Sequence, residues 1–487
     1  MNRELNKGGK ILRITNKYLT NSFLSDMKRN LNNLNKIQEQ LSSTKNFSKP
    51  SDDPLNVQKS MQLQTSITAN SQYGTNIKTA LTWMESTDTT LGQIGTVLTK
   101  IRNNLVKAGD AGYGQDDRDK INDEVNQQIS QLAQLFNTNL GGEYIFGGTQ
   151  GLSKPVTTES YSITRKVTDD NGNTTVETYE GCVSLKYADK DGKIIEALPQ
   201  VVSDDFSIDN WTGKGITFNV KGTSDTAGKD YLVTVSSSDK TVDDVIKDLN
   251  TQIQNNPNLK DRINVVKTND GNIKFLAVDE SDTIKLTTDI ADMASTSGKQ
   301  LSSVTMDNIA SDKNIEVSQG VVLSYNATAV DVMQYGDGQD DDIMAVMDRI
   351  VHHLAGQVES TTDADGNTVY KNTTGAILGS DGNYYIWKDD ATAAKEKLTN
   401  EDLDDIDAAS KQVLKIRSEI GAKEKRMEDL SDQNSSTKIS LTETLSKIED
   451  IDVTEKTVEY STMITVYIAC LQTSAKIMQS TLMDYLN

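Results

Sequence analysis

Residues 77–108, IKTALTWMESTDTTLGQIGTVLTKIRNNLVKA, decide the architecture. Ile77, Met84, Leu91, Leu98 and Leu105 fall in one heptad phase, continued backwards by Leu63, with Ile67 and Leu81 in the companion position. A seven-residue apolar repeat keeps one seam turned toward a partner helix when the two supercoil gently. The partner is near the other end of the chain. There Ile406, Val413, Ile420, Met427, Leu441 and Ile448 repeat every seven residues, with Ala409, Ile416, Leu430 and Ile451 three further on. Each stretch is about 50 residues, or roughly 75 Å of helix at 1.5 Å per residue. Alone, each would leave its seam wet, so the two are expected to pack on each other. Asn70, Lys423, Asn434 and Thr437 occupy seam positions, where polar groups weaken a coiled coil but fix its register.

Proline placement permits such helices. Only Pro50, Pro54, Pro155, Pro199 and Pro257 occur, and a proline inside a helix costs about 3 kcal/mol. Ser51, Asp52 and Asp53 supply N-cap oxygens before Pro54, a residue tolerated in the first helical turn. Gly109, Gly112 and Gly114 end that helix. Asp116 and Asp117 open the next, whose face runs Ile121, Val125, Ile129, Leu132 and Phe136 until Gly141-Gly142 is expected to stop it.

The middle changes period. Short β-branched runs, Cys182–Tyr187, Ile216–Val220, Tyr231–Val235, Ile273–Val278 and Ile315–Leu323, alternate with turn dipeptides. A helical insert, Val242, Val245, Ile246, Leu249 and Ile253, interrupts them. A short helix, 343–354, precedes a smaller strand-and-turn insertion near 358–388. The expected fold is α+β: a long antiparallel helical bundle or coiled-coil stalk from both termini, with a β-rich centre inserted. The segments are 1–49 (assembly segment), 50–143 (stalk), 144–332 (β-rich centre), 333–400 (helix plus β insertion), 401–452 (stalk) and 453–487 (assembly helix).

Both ends carry a further amphipathic stripe. Leu24, Met27, Leu31, Leu34, Ile37 and Leu41 form one; Tyr467, Leu471, Ser474, Met478, Leu482 and Tyr485 form the other. The rest of the first stripe's helix is Asn, Ser, Lys and Gln, so alone in water it is marginal and expected to order on binding a partner. These stripes are the candidate assembly interface, about 19–41 and 455–487. The heptad helices, about 55–107 and 402–451, are expected to fold in the monomer.

Charge and composition narrow the class. The chain has 487 residues and a net charge of −21, with 35% hydrophobic and 5% aromatic residues, low for a compact enzyme. Residues 1–49 hold ten Lys/Arg against three Asp/Glu, hence +7, which leaves −28 for the remainder. An acidic body repels phosphate and argues against a nucleic-acid partner. The basic start lacks the apolar core of a secretory signal, and no run of 18 apolar residues suggests membrane insertion. Cys182 and Cys470 are too few for a disulfide framework.

Catalytic and metal-binding motifs are weak. His352 and His353 are adjacent, so they cannot form an i, i+4 metal pair; they read as partly exposed residues at a helix end. Gly8-Gly9-Lys10 lacks phosphate-loop spacing. Three acidic turns, at 169–172, 189–192 and 363–366, lack the closing Glu of a calcium loop and read as hairpin turns. Asp340, Asp341 and Asp342 read as a helix start. No cofactor and no enzyme activity is expected.

Several phrases carry a family resemblance. Leu12-Arg13-Ile14-Thr15-Asn16, then Ser48-Lys49-Pro50-Ser51-Asp52-Asp53-Pro54, resembles the start of flagellin-type proteins. Gly142-Glu143-Tyr144-Ile145-Phe146-Gly147-Gly148-Thr149 is similar to the phrase with which their hook–filament junction branch leaves its N-terminal helices. Arg417-Ser418-Glu419-Ile420-Gly421-Ala422, Leu445 through Asp452, and the ending from Tyr467 through Lys476-Ile477-Met478-Gln479 to Leu486 fit the same branch. Thr241 through Ile246 with Asp270-Gly271-Asn272-Ile273 looks like a small repeat motif of flagellins and hook proteins. One departure is the run of about ten residues before the Arg-Ile-Thr phrase, where the family usually begins.

The resemblance implies a structural protein exported without a cleaved signal through the flagellar type III apparatus, served by an export chaperone, and placed outside the cell. It implies a ring of its own subunits between hook-associated protein 1 and the first flagellins, with terminal segments that order on assembly. Flagellin itself or hook-associated protein 1 is the alternative within the class. A secreted carbohydrate-binding or hydrolytic protein is the reading from another class; it requires convergent carboxylates or stacked aromatics around Trp211 or Trp387. Trp83, beside the seam, reads as packing.

Overall fold

The computed structural model describes residues 16–483 apart from 111, 169–173, 196–199, 205, 223–227, 237–240, 269, 280–281, 336–341, 363–367, 370–372, 374–375 and 379–383. Long helices come first and last: α1 (Asn16–Ser43), α2 (Pro54–Ala108) and α3 (Gln115–Phe136) open the chain. Between them and the end lie α4 (Ile208–Trp211), α5 (Val242–Asn255), α6 (Val304–Ile309), α7 (Ala329–Met333), α8 (Ile343–Leu354) and α9 (Ala391–Thr399). The chain closes with α10 (Glu401–Glu449) and α11 (Val453–Met483). The strands are β1 (Asn139–Leu140), β2 (Glu143–Tyr144), β3 (Val156–Thr168), β4 (Thr174–Ala188), β5 (Ile194–Ile195), β6 (Val201–Val202), β7 (Gly215–Lys221) and β8 (Lys229–Thr234). Then come β9 (Ile263–Lys267), β10 (Ile273–Ala277), β11 (Thr283–Thr288), β12 (Asn314–Ser318), β13 (Val321–Ser324), β14 (Gln357–Ser360), β15 (Ile377–Leu378) and β16 (Tyr384–Asp389). The fold is mixed helix and sheet, with long terminal helices and a β-rich middle. Two compact units divide the chain: residues up to Thr75 with those from Leu430 onward, and Asn76–Asp429.

In the first unit, α2 starts where the sequence supplies caps. Asp53 Oδ1 caps it by accepting from the Asn56 N–H at 3.1 Å, whereas Asp52 Oδ2 turns back to the Lys49 N–H at 2.9 Å and holds the preceding turn, not the helix. Further along, Asn70 and Asn434 face each other and exchange amides. Asn70 Nδ2 donates to the Asn434 carbonyl at 3.0 Å, and Asn434 Nδ2 returns the bond to the Asn70 carbonyl at 3.0 Å. Asn434 Nδ2 also reaches Asn70 Oδ1 at 3.0 Å. This antiparallel reciprocity explains why polar residues sit in an apolar seam. An Asn70→Ala variant leaves the Asn434 amide short of partners and is expected to cost about 1–3 kcal/mol. Replacing both with leucine is expected to cost less than the sum of the single changes, because no orphan remains. Chemical denaturation of the double-mutant cycle measures this; strict additivity would refute the pairing.

In the second unit the seam is dry. Ile77, Met84, Leu91, Leu98, Leu105, Ile406, Val413, Ile420 and Met427 are all buried. Flanking ion pairs hold α2 antiparallel to α10: Arg102 Nε donates to Asp407 Oδ1 and Arg417 Nε to Asp88 Oδ1, both at 2.7 Å. Helix α3 buries Ile121, Val125, Ile129, Leu132 and Phe136 on one face. It ends at Phe136, however, with Asn137 as its C-cap, not at the glycine pair. Gly141 and Gly142, at φ +64° and +100°, make the β1–β2 turn instead, using the left-handed backbone that glycine adopts without steric cost.

The β-rich region holds several small antiparallel sheets. β3 and β4 form a long hairpin running from Val156↔Tyr187 to Thr168↔Thr174. The turn at 189–192 is a hairpin turn to β5, held by Asp189 Oδ1 accepting from the Asp191 and Lys193 N–H groups at 2.8 and 2.7 Å. The acidic turns at 169–172 and 363–366 lie outside the described residues. The run Ile315–Leu323 is two strands, β12 and β13, folded back at Gln319-Gly320 with Ser318 opposite Val321. Residues 201–301 build a core of their own. Sheets β6-β10-β9 and β11-β7-β8 enclose Trp211, Phe218, Phe275 and the α5 stripe of Val245, Leu249 and Ile253.

Candidate assembly interface

The helices that carry the two terminal stripes, α1 and α11, lie against each other within one chain. Ile37 is buried; Met27, Leu34 and Leu41 are half-buried, whereas Leu24 and Leu31 are 51% and 39% exposed. On α11, Tyr467 and Ser474 are half-buried and Leu471 is 41% exposed. The side chains of Met478, Leu482 and Tyr485 lie outside the description. Of the stalk-seam residues in this unit, Leu63, Ile67, Leu441 and Ile448 are half-buried; in the second unit Leu81 is half-buried too.

The stripe reading missed the other sides of α11. Successive residues turn about 100° around a helix, so Val458, Val466 and Ile468 point away from the half-buried stripe of Tyr460, Met463, Ile464 and Tyr467. All three are exposed. Among exposed Thr, Ser and Glu residues, these three leave apolar surface on sides of α11 that the single chain does not cover. The signal was present in the sequence as Val and Ile residues scattered over every face. No helix among the described residues is long and apolar enough to cross a membrane.

One corner braces the end helices. The Asn46 N–H donates to the Glu449 carbonyl at 2.6 Å, and Asn46 Nδ2 to the Asp450 carbonyl at 2.8 Å. The Ile451 N–H returns a bond to the Thr44 carbonyl at 3.2 Å. Lys45 Nζ reaches Glu449 Oε2 at 3.0 Å and Asp450 Oδ1 at 2.7 Å. Glu449 also accepts from Ser60 Oγ and, at 2.9 Å, from Gln64 Nε2. Burial opposes the Glu449 charge, but the hydrogen bonds from Ser60 and Lys45 outweigh it and hold the carboxyl below its usual range.

The histidines correct the sequence reading. Neither is partly exposed; both are buried in the second unit. His352 stacks on Trp387 at 3.8 Å between ring centroids and on Tyr161 at 5.6 Å. Burial lowers its pKa, so it is neutral at pH 7. His353 instead bridges two carboxylates: Nδ1 lies 2.7 Å from Asp402 Oδ2 on α10, and Nε2 lies 3.1 Å from Glu359 Oε2 on β14. Burial works against its charge, but the bonds to Asp402 and Glu359 prevail and raise its pKa to about 9. The geometry agrees, since only an imidazolium can donate from both ring nitrogens. Asp342, the described member of the run at 340–342, caps α8 by accepting from the Met344 N–H at 2.7 Å.

Trp211 and Trp83 form no exposed stacking platform. Trp211 is fully buried; its indole N–H donates to Asp292 Oδ2 at 2.9 Å, and Phe275 stacks at 6.4 Å. Trp83 is buried edge-on to Tyr325 at 5.8 Å, with Lys313 Nζ 4.4 Å from the centre of its ring. No group of three or more His, Cys, Asp or Glu among the described residues is placed to hold a metal ion.

Known proteins share these terminal helices. Residues 14–151 match the bacterial flagellin N-terminal helical region, and 403–486 the bacterial flagellin C-terminal helical region. The flagellar hook-associated protein 3 of Salmonella typhimurium is 30% identical over 121 residues, 25% of this chain and 38% of that protein. That of Escherichia coli is 30% identical over 125 residues, 26% and 39% of the two chains. The chain thus spans about two fifths of the length of these curated relatives. A solved hook-associated protein 3 from Legionella pneumophila aligns over 80% of this chain and 98% of its own, at 13% identity and a TM-score of 0.34. Both helical regions of bacterial flagellin are thus matched in this chain, in the same order and toward its opposite ends.

Proposed function

We propose that this chain is a structural adaptor of the bacterial flagellum, set between hook and filament and assembled as a ring of its own copies. The observation that carries this reading is α11: Val458, Val466 and Ile468 stand exposed off the stripe that the single chain half-buries, apolar surface that neighbouring helices would close over. The names of the curated relatives support the hook end of the filament as its place. The partners that follow are hook-associated protein 1 on one side and flagellin on the other. Export proceeds without a cleaved signal, with a chaperone shielding the terminal helices before assembly.

Deleting the gene tests the role. The expected result is hooks without filaments and flagellin shed into the medium; normal filaments would overturn the reading. Removing residues 454–487 tests the mechanism. The shortened chain is expected to keep its far-ultraviolet and near-ultraviolet circular dichroism for residues 76–429 and to lose assembly. Global unfolding would contradict a terminal helix that serves assembly rather than the monomer core.

A further inference from the structure

Two strand edges in the 201–301 region are closed by one helix. Among the described strands, β8 pairs only with β7 and β9 only with β10, so each has an outer edge. An open edge offers alternating N–H and C=O groups to any extended chain, most readily to its own copy. Helix α5 runs past both edges, with Val245, Leu249 and Ile253 buried as its central stripe. Asn250 follows Leu249 by about 100° and Gln252 precedes Ile253 by about 100°, so the two amides flank the stripe on opposite sides.

Each amide mimics a missing strand. Asn250 Oδ1 accepts from the Val265 N–H at 3.2 Å, and its Nδ2 donates to the Val265 carbonyl at 2.8 Å. Gln252 Oε1 accepts from the Thr234 N–H at 3.2 Å, and its Nε2 donates to the Thr234 carbonyl at 2.8 Å. One side-chain amide thus satisfies both backbone groups of one edge residue, as a neighbouring peptide does in a sheet. Asp248 extends the cover: its Oδ2 accepts from the Ser236 N–H at 3.2 Å and from Gln252 Nε2 at 2.9 Å. The β8 edge also carries Leu232, 67% exposed, an apolar side chain suited to a docked strand.

We infer that Asn250 and Gln252 are edge guards: they hold shut two strand-docking surfaces whose occupant would be the same strand of a second copy of this chain. The full chain with Asn250→Leu and Gln252→Leu keeps side-chain bulk and helix propensity but loses both amides. Hydrogen exchange in peptides 229–236 and 261–268 is expected to quicken about tenfold in dilute solution, the worth of one net hydrogen bond. Sedimentation velocity is expected to show more self-association than the parent chain as concentration rises, with exchange slowing again as edges pair. A control with Lys247→Leu and Thr251→Leu adds the same apolar surface on exposed positions of α5 and is expected to match the parent. Unchanged exchange, or equal association by the control, would overturn the inference. Should the double variant fail to fold, Gln252→Glu decides. It keeps the acceptor for Thr234 but turns an oxygen on its carbonyl, so only peptide 229–236 is expected to quicken; no change, or equal change in 261–268, would overturn it.

Discussion

Replacing His353 with leucine is expected to lower stability by about 3–5 kcal/mol at pH 7, the usual cost of breaking a buried ion pair from one side. The imidazole is surrounded by two carboxylates and little water. Asp402 comes from the first turn of α10 and is fully buried; Glu359 comes from β14, with its side chain 17% exposed. Neutral His352 stands beside it on α8, and Lys397 of α9 adds a weaker attraction to Glu359. Burial pushes the Glu359 carboxyl up, but its hydrogen bond and attraction to His353 prevail and bring it down to about 2. Leucine would leave both carboxylates facing an apolar side chain.

The same site gives a pH dependence of definite sign. The folded pKa of His353, about 9, lies above its ordinary 6.5, so the folded chain binds a proton that the unfolded chain releases in that interval. Its contribution is complete below pH 6.5 and disappears as pH rises through 9, falling by about 1.4 kcal/mol per unit between. Urea denaturation of parent and His353→Leu between pH 6 and 10 checks this. The parent is expected to lose stability across the window, and the variant to be flatter there. Parallel curves would place the proton elsewhere.

The second large effect is expected at Gly148, in the phrase that marked the end of the N-terminal helices. Its φ is +55°, and a Cβ there would run into the backbone carbonyls of Asn308 and Ile309. Backbone cannot step aside as a flexible side chain can, so both penalties apply: left-handed strain and overlap. Gly148→Ala is expected to cost about 3 kcal/mol or more. Gly147→Ala is the comparison, because its Cβ would sit 3.1 Å from the Gln150 carbonyl without the unfavourable φ. Equal thermal midpoints for the two variants would show that the close approach to residues 308–309 is not maintained in solution.

The sequence made the helices legible because their signal is periodic and long. A heptad sustained from Leu63 to Leu105 has no competing reading, and polar Asn70 and Asn434 could be placed in the seam before their pairing was known. The α5 stripe and the β4 and β7 runs were readable for the same reason. Local signals failed where distant residues decide. His352 and His353 do lie in the last turn of α8, but they looked partly exposed because nothing nearby announces Trp387, Glu359 or Asp402. Gly141-Gly142 looked like a helix stop, but Asn137 had already ended α3, and the pair was free to turn a hairpin. Ile315–Leu323 hid its fold-back, since one glycine at 320 inside a β-branched run reads equally well as a bulge. Periodicity also detects one apolar face and passes over single apolar residues elsewhere on the helix, as with Val458, Val466 and Ile468 of α11.

The braced corner at Asn46 and Glu449 has a kinetic consequence. Helices α1 and α11 leave the same tied junction, so each meets the other at an effective concentration on the order of millimolar, as short tethers provide. Their association is first order and independent of how many copies are present. A neighbouring chain enters by a second-order step and at ordinary concentrations arrives later, finding the pair already joined. Asn46→Ala and Lys45→Ala remove the side-chain ties and leave only the two backbone bonds, which would weaken that advantage and make the order of events more dependent on dilution.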